Sequence, residues 1–112
     1  MQKLVDDFIK MNQAGQVLAL CEKYYDDKVV MLNNGAIFAE SMQQAYQKQK
    51  GFVSAITKFE VKLISSVIVG NVSELTFHYN MSGADSKVMD FTGKHVQTWH
   101  NNKIVREEYF TI

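Results

Sequence analysis

KFEVKLISSVIVGNVSELTFHYNM, residues 58–81, is the stretch on which the fold turns. Its first half, Lys58 to Val69, is rich in β-branched residues, which suit a pleated sheet. Gly70-Asn71 follows between Val69 and Val72, the sequence of a two-residue hairpin turn in which glycine supplies a positive φ. From Val72 to Met81 the chain alternates. Leu75, Phe77, Tyr79 and Met81 fall on one face, and Thr76, His78 and Asn80 on the other. Two long antiparallel strands with one apolar face are therefore expected, and that face needs a cover.

Downstream, Ser82 to Ser86 reads as a loop, Lys87 to His100 as a long strand and Lys103 to Ile112 as the last one, with Asn101-Asn102 as a second hairpin signal. Upstream the period is helical. Leu4, Val5, Phe8, Ile9 and Met11 predict an amphipathic helix from about Gln2 to Gln13, which Gly15 ends. Val17, Leu18, Cys21, Tyr24 and Tyr25 repeat the spacing, and Asp26-Asp27 closes this second helix. Val29 to Leu32 reads as a short strand before the turn signal Asn33-Asn34-Gly35. Ser41 then opens a third helix, with Gln44 completing a reciprocal capping box. Its apolar face runs through Met42, Ala45, Tyr46, Phe52, Val53 and Ile56, and Gly51 weakens it by roughly 1 kcal/mol. Helices first and hairpin-linked strands after predict an α+β fold. Three N-terminal helices should pack on a strongly curved mixed or antiparallel sheet of four to six strands, forming a cone with a central pocket.

Composition narrows the rest. The 112 residues suit one domain spanning 1–112, and 46% hydrophobic residues are enough for a core. Twelve basic and twelve acidic side chains cancel, so no field draws nucleic acid or an anionic membrane. One cysteine, Cys21, excludes an intrachain disulfide, and three histidines scattered over strands lack metal-ligand spacing. No cofactor or metal is expected. The longest apolar run near the start, Val17 to Cys21, is too short for a signal-peptide core, so a cytoplasmic setting is expected.

Two further segments carry a family likeness. Tyr24-Tyr25-Asp26-Asp27-Lys28-Val29-Val30 follows the second helix, and Val96 to Phe110 reads VQTWHNNKIVREEYF. With the order of elements, they resemble the SnoaL-like branch of the nuclear transport factor 2 superfamily, which commonly has Tyr-x-Asp-Asp before its first strand and Gln-x-Trp-x-Asp-Gly-Lys-Ile-Val-x-Glu near its end. The resemblance implies a cystatin-like α+β cone, often a homodimer, and members that are cyclases, isomerases, dehydratases or binders. Fold does not choose among them. The ketosteroid isomerases of this layout use a tyrosine, a carboxylate base and an aspartic acid. Those positions fall here on Phe8, Leu32 and His95, so the isomerase machinery is not expected.

His95 shares a face with Phe91, Gln97 and Trp99. A two-residue turn at Asn101-Asn102 would set Glu108 opposite His95, whereas a three-residue loop from His100 to Asn102 would set Glu107 there. The second register is preferred because asparagine tolerates the left-handed conformation. The wall would then carry His95, Gln97, Trp99, Val105, Glu107 and Tyr109, joined by Phe8, Leu32, Tyr46 and Tyr79. His95 and Glu107 would be an acid/base pair or a cross-strand structural pair. Trp99 is either a stacking platform or core, His78 lies on the outer face, His100 is solvated, and Cys21 is buried and inert. The leading expectation is a domain holding a small apolar or aromatic molecule. The alternatives are a small enzyme using His95 and Glu107, or a dimeric interaction module with a self-filled cavity. The outer sheet face, with Thr76, His78, Asn80, Val96 and Thr98, is the expected homodimer surface.

Overall fold

The computed structural model describes residues 1–85 and 87–112. Helices α1 (Gln2–Gln13) and α2 (Val17–Tyr24) lead directly into strand β1 (Tyr25–Asn33), which is followed by β2 (Ala36–Ala39) and α3 (Met42–Ala55). Then come β3 (Ile56–Val69), β4 (Val72–Gly83), β5 (Val88–His100) and β6 (Lys103–Thr111). The six strands form one open sheet in the order β2-β1-β6-β5-β4-β3. The α+β class and the three covering helices are as expected; part of the expected loop, Ser86, lies outside the described residues.

Three local expectations need correction. Asp26 and Asp27 do not close a helix: α2 stops at Tyr24, and both aspartates lie inside β1, where Asp26 accepts a hydrogen bond from the Lys28 amide at 3.0 Å. The buried Tyr25, Val29 and Met31 give this segment more to gain as a strand. Second, Ala36–Ala39 forms a strand that its four residues are too few to announce by periodicity, paired with β1 through the Asn34-Gly35 turn, where both φ angles are positive (49° and 86°). Third, the capping box is only half as expected. Ser41 Oγ accepts from the Gln44 amide at 3.0 Å, but Gln44 reaches back to the Glu40 amide, at 2.7 Å, rather than to the cap residue itself.

The sheet is mixed because β1 runs parallel to β6, whereas every hairpin-linked neighbour is antiparallel. Nothing in the hairpin reading predicts that pair, since its strands are the first and last long ones of the chain. On β4 the alternation holds from Val72 to Ser82: Ser73, Leu75, Phe77, Tyr79 and Met81 are buried under the helices. Irregularities in the ladders bend the sheet. One of them interrupts the β3–β4 register between Leu63 and Ser65, and there the Leu63 amide is satisfied by the Gln13 side chain at the end of α1, 3.0 Å away. That bond ties the first helix to the edge strand.

Candidate functional site

Between the helices and the inner sheet face lies a cavity of about 300 Å³. Its walls are mostly apolar and aromatic: Phe8 and Leu20 from the first two helices, Met31 and Leu32 from β1, Phe59, Met81 and Phe91 from the later strands. Polar groups gather at the floor, where Asn12, Tyr25, Tyr79, His95 and Glu107 meet, while Lys48 and Gln49 of α3 also border it.

The last hairpin brings Glu107 to that floor by neither of the two routes weighed from sequence. The turn is a two-residue one, with His100 opposite Lys103 and both asparagines in the left-handed region (φ 50° and 63°). A regular ladder from this turn would set Glu108 across from His95. Val105 instead is an extra residue between the Trp99–Ile104 and Thr98–Arg106 pairs, a bulge that changes the parity of β6. Glu107 consequently points inward, paired with Gln97, and His95 pairs with Tyr109. The expected face for Glu107 is correct; its expected partner across the ladder is not. The inward residue before the bulge is Ile104, fully buried, rather than Val105.

A continuous polar chain runs under the cavity. Trp99 Nε1 donates to Ser73 Oγ (2.9 Å), Ser73 Oγ donates to Gln97 Oε1 (2.9 Å), and Gln97 Nε2 donates to Glu107 Oε1 (2.7 Å). The ionised Glu107 carboxylate can only accept, so Gln97 turns its amide nitrogen to Glu107 and its oxygen to Ser73, whose hydroxyl donates to it while accepting from the indole. Tyr25 donates to the other carboxylate oxygen at 2.9 Å. Glu107 is 3% exposed and thus receives two donors in a dry setting. Burial alone would raise its carboxyl, but the charge of His95, with the bonds from Gln97 and Tyr25, outweighs that and holds it below its ordinary value. His95 Nδ1 stands 3.4 Å from Glu107 Oε1 without hydrogen-bond geometry, and has no other partner. Its Nε2 is 2.7 Å from the Tyr79 hydroxyl, which also accepts from Asn12 Nδ2 at 3.2 Å. Burial, chiefly, pushes the hydroxyls of Tyr79, Tyr25 and Tyr109 up, so all three keep their protons at neutral pH.

Of the residues expected to line a pocket, Phe8, Leu32, Tyr79, His95, Glu107 and Tyr109 do converge on this cavity. Gln97 and Trp99 do not. Both are buried beneath the floor, Trp99 packs edge-on against Tyr24, and they act through the hydrogen-bond chain. Tyr46 lines a separate depression with Glu22 and Met42, whereas α3 turns Lys48, Gln49 and Phe52 to the cavity. Sequence reading missed Asn12, Tyr25 and Ser73. Asn12 lies at the end of a helix and Ser73 beside a turn, where polar residues normally face water; Tyr25 continues the helical spacing of Val17, Leu18, Cys21 and Tyr24. Tyr109 reaches over β5 because Gly93 leaves room: a Cβ there would come within 2.7 Å of the Tyr109 ring. Cys21 is buried and its thiol is pushed up to about 12, first by burial and then by the nearby Glu107, which keeps it unreactive. Among the described residues, no three His, Cys, Asp or Glu side chains cluster as metal ligands would, and no helix is long and apolar enough to cross a membrane.

No protein-family model matches the sequence, and no curated protein matches it. Solved structures do match in three dimensions. A proposed SnoaL-like polyketide cyclase from Mesorhizobium loti superposes with a TM-score of 0.79 at 17% identity, over 96% of each chain. A nuclear transport factor 2-like protein of unknown function from an Exiguobacterium species gives 0.80 at 15%, over 97% of this chain and 98% of that one. A protein with a ketosteroid isomerase-like fold from Catenulispora acidiphila, in complex with trimethylamine, gives 0.76 at 10%, over 95% of this chain and 82% of its own. The chain thus has the nuclear transport factor 2-like fold, in the form seen in SnoaL-like proteins.

Proposed function

We propose that this chain holds a small apolar or aromatic molecule in the cavity between its helices and sheet. The observation that carries the reading is a space of about 300 Å³ with apolar and aromatic walls and one convergent set of polar groups at its floor. Binding sites for small molecules are commonly built this way. The Catenulispora protein, in complex with trimethylamine, is a precedent for a small molecule bound to this fold. Zero net charge offers no field to nucleic acid or to an anionic membrane surface, and a reduced lone thiol suits a cytoplasmic setting. A second copy of the chain packing on the outer sheet face would leave the cavity free. The test is a blocking variant. Leu32→Trp adds bulk inside the cavity away from the polar floor, and should weaken the binding of small bicyclic aromatics at least about tenfold, the equivalent of one lost favourable contact. Wild-type and Leu32→Trp proteins that bind such molecules equally well, or not at all, would refute the proposal.

A second reading, proton transfer by His95 and Glu107, is favoured by one observation: His95 Nδ1 faces a buried carboxylate oxygen at 3.4 Å. Against it stands Tyr79, which occupies the other imidazole nitrogen at 2.7 Å. An enzyme of this design loses turnover in His95→Ala, whereas a binder loses only part of its affinity.

A further inference from the structure

The Tyr79 hydroxyl stands between a fixed donor and a switchable group. Asn12 Nδ2 donates to it, and His95 Nε2 lies on its other side. The imidazole has a preferred tautomer. Nδ1 faces Glu107 Oε1, and a lone pair aimed at a carboxylate oxygen would be repelled, so Nδ1 carries a proton. The state of Nε2 then decides where the tyrosine proton goes. With neutral His95, Nε2 has only a lone pair, and the Tyr79 proton is spent on it. With protonated His95, Nε2 donates to Tyr79. The tyrosine oxygen then accepts from both Asn12 and His95, and its own proton is free to turn toward the cavity, which Tyr79, Asn12 and His95 all line.

Resting on the reading that the cavity holds a small molecule, we propose that its ligand carries a carbonyl-type acceptor oxygen, that this oxygen accepts a hydrogen bond from Tyr79, and that its seating draws a proton onto His95. A ligand without such an oxygen leaves the hydroxyl satisfied by His95 and binds without regard to pH. One with it must either break the Tyr79–His95 bond, leaving Nε2 without a partner, or bind the protonated form, in which Nε2 donates to Tyr79 and stays paired. The titratable groups around His95 do not compete for this proton. Glu107 and Tyr109 of β6 and Tyr79 of β4 lie against it, Tyr25 of β1 and Cys21 of α2 line the same cavity, and of these only Glu107 is charged at neutral pH. Lys48 of α3 borders the same cavity.

The test compares 1-indanone with indane, neither of which titrates. Imidazole nitrogen spectra of the full chain, with the His95 signal identified by its loss in His95→Gln, give the pH at which His95 is half protonated. At that pH, 1-indanone should move His95 toward the imidazolium form and indane should not. Indanone affinity should fall by up to about tenfold per pH unit above that point, the limit for one linked proton, with indane affinity flat. Tyr79→Phe should abolish both the shift and the pH dependence while indane still binds. Equal His95 spectra with the two ligands, or a pH dependence that survives in Tyr79→Phe, would overturn the proton linkage and leave the binding reading intact. Failure of both ligands to bind would overturn that reading and the linkage with it.

Discussion

Glu107 shows how much one residue can depend on its surroundings. A carboxylate this buried is expensive unless its oxygens are paired, and here Gln97, Tyr25 and His95 supply the pairing. Its carboxyl lies lower in the folded chain than its ordinary value of 4.5. The folded state therefore gains stability that is complete above that ordinary value and is lost as pH falls through the lower, folded one. Melting temperature, followed by circular dichroism, should drop as the protein is acidified below about pH 5, and Glu107→Gln should lose that part of the slope. At neutral pH the same variant should cost about 1–3 kcal/mol, because its amide can no longer accept from both donors. A melting curve for Glu107→Gln with the wild-type midpoint at pH 7 would show that the carboxylate is not held as described. From sequence, the acidic pair Glu107-Glu108 was visible but not which member turned inward.

At the scale of elements, the decisive feature is the β5–β6 hairpin. Asn101 and Asn102 both adopt left-handed backbone, the geometry of a two-residue turn whose second position favours glycine. Asn102→Gly should stabilise the chain by up to about 1 kcal/mol, seen as a shifted urea midpoint at unchanged slope. Destabilisation would mean that the Asn102 side chain contributes something its backbone does not. The strand β4 was legible residue by residue because one of its faces is dry and the other wet, which prints a period of two on the sequence. The bulge at Val105 was not. A bulge is an extra residue accommodated by the neighbouring strand and the core, and VREE reads equally well with either parity. The same limit hid the first half of β1: Val29 to Leu32 reads as a strand, but Asp26 and Asp27 masked its extension back to Tyr25, where it pairs with the distant β6.

Across the whole molecule, the outer sheet face remains to be accounted for. Its β4 and β5 strands carry a charged pair, Lys94 2.7 Å from Glu74, and a hydrogen-bonded His78–Asp90 pair at 2.7 Å, among the small polar Thr76, Thr92 and Thr98. If two copies pack through this face, light scattering at roughly tens of micromolar should report a dimer, matching ordinary micromolar affinities, and Val96→Glu should convert it to monomer. A wild-type chain that scatters as a monomer there would argue against the pairing. The class of fold, three helices on a hairpin-built sheet, and the placement of Leu75, Phe77, Tyr79 and Met81 on the inner face of β4 can be read from the sequence alone. These follow from local periodicity and turn chemistry, which each segment carries alone. The parallel pairing of β1 with β6, the inward turn of Glu107 rather than Glu108, and the completion of the polar floor by Asn12, Tyr25 and Ser73 come from tertiary packing. Those outcomes depend on contacts between segments far apart in the chain, where the free energy of satisfying buried donors and acceptors selects one register among several that local pattern allows.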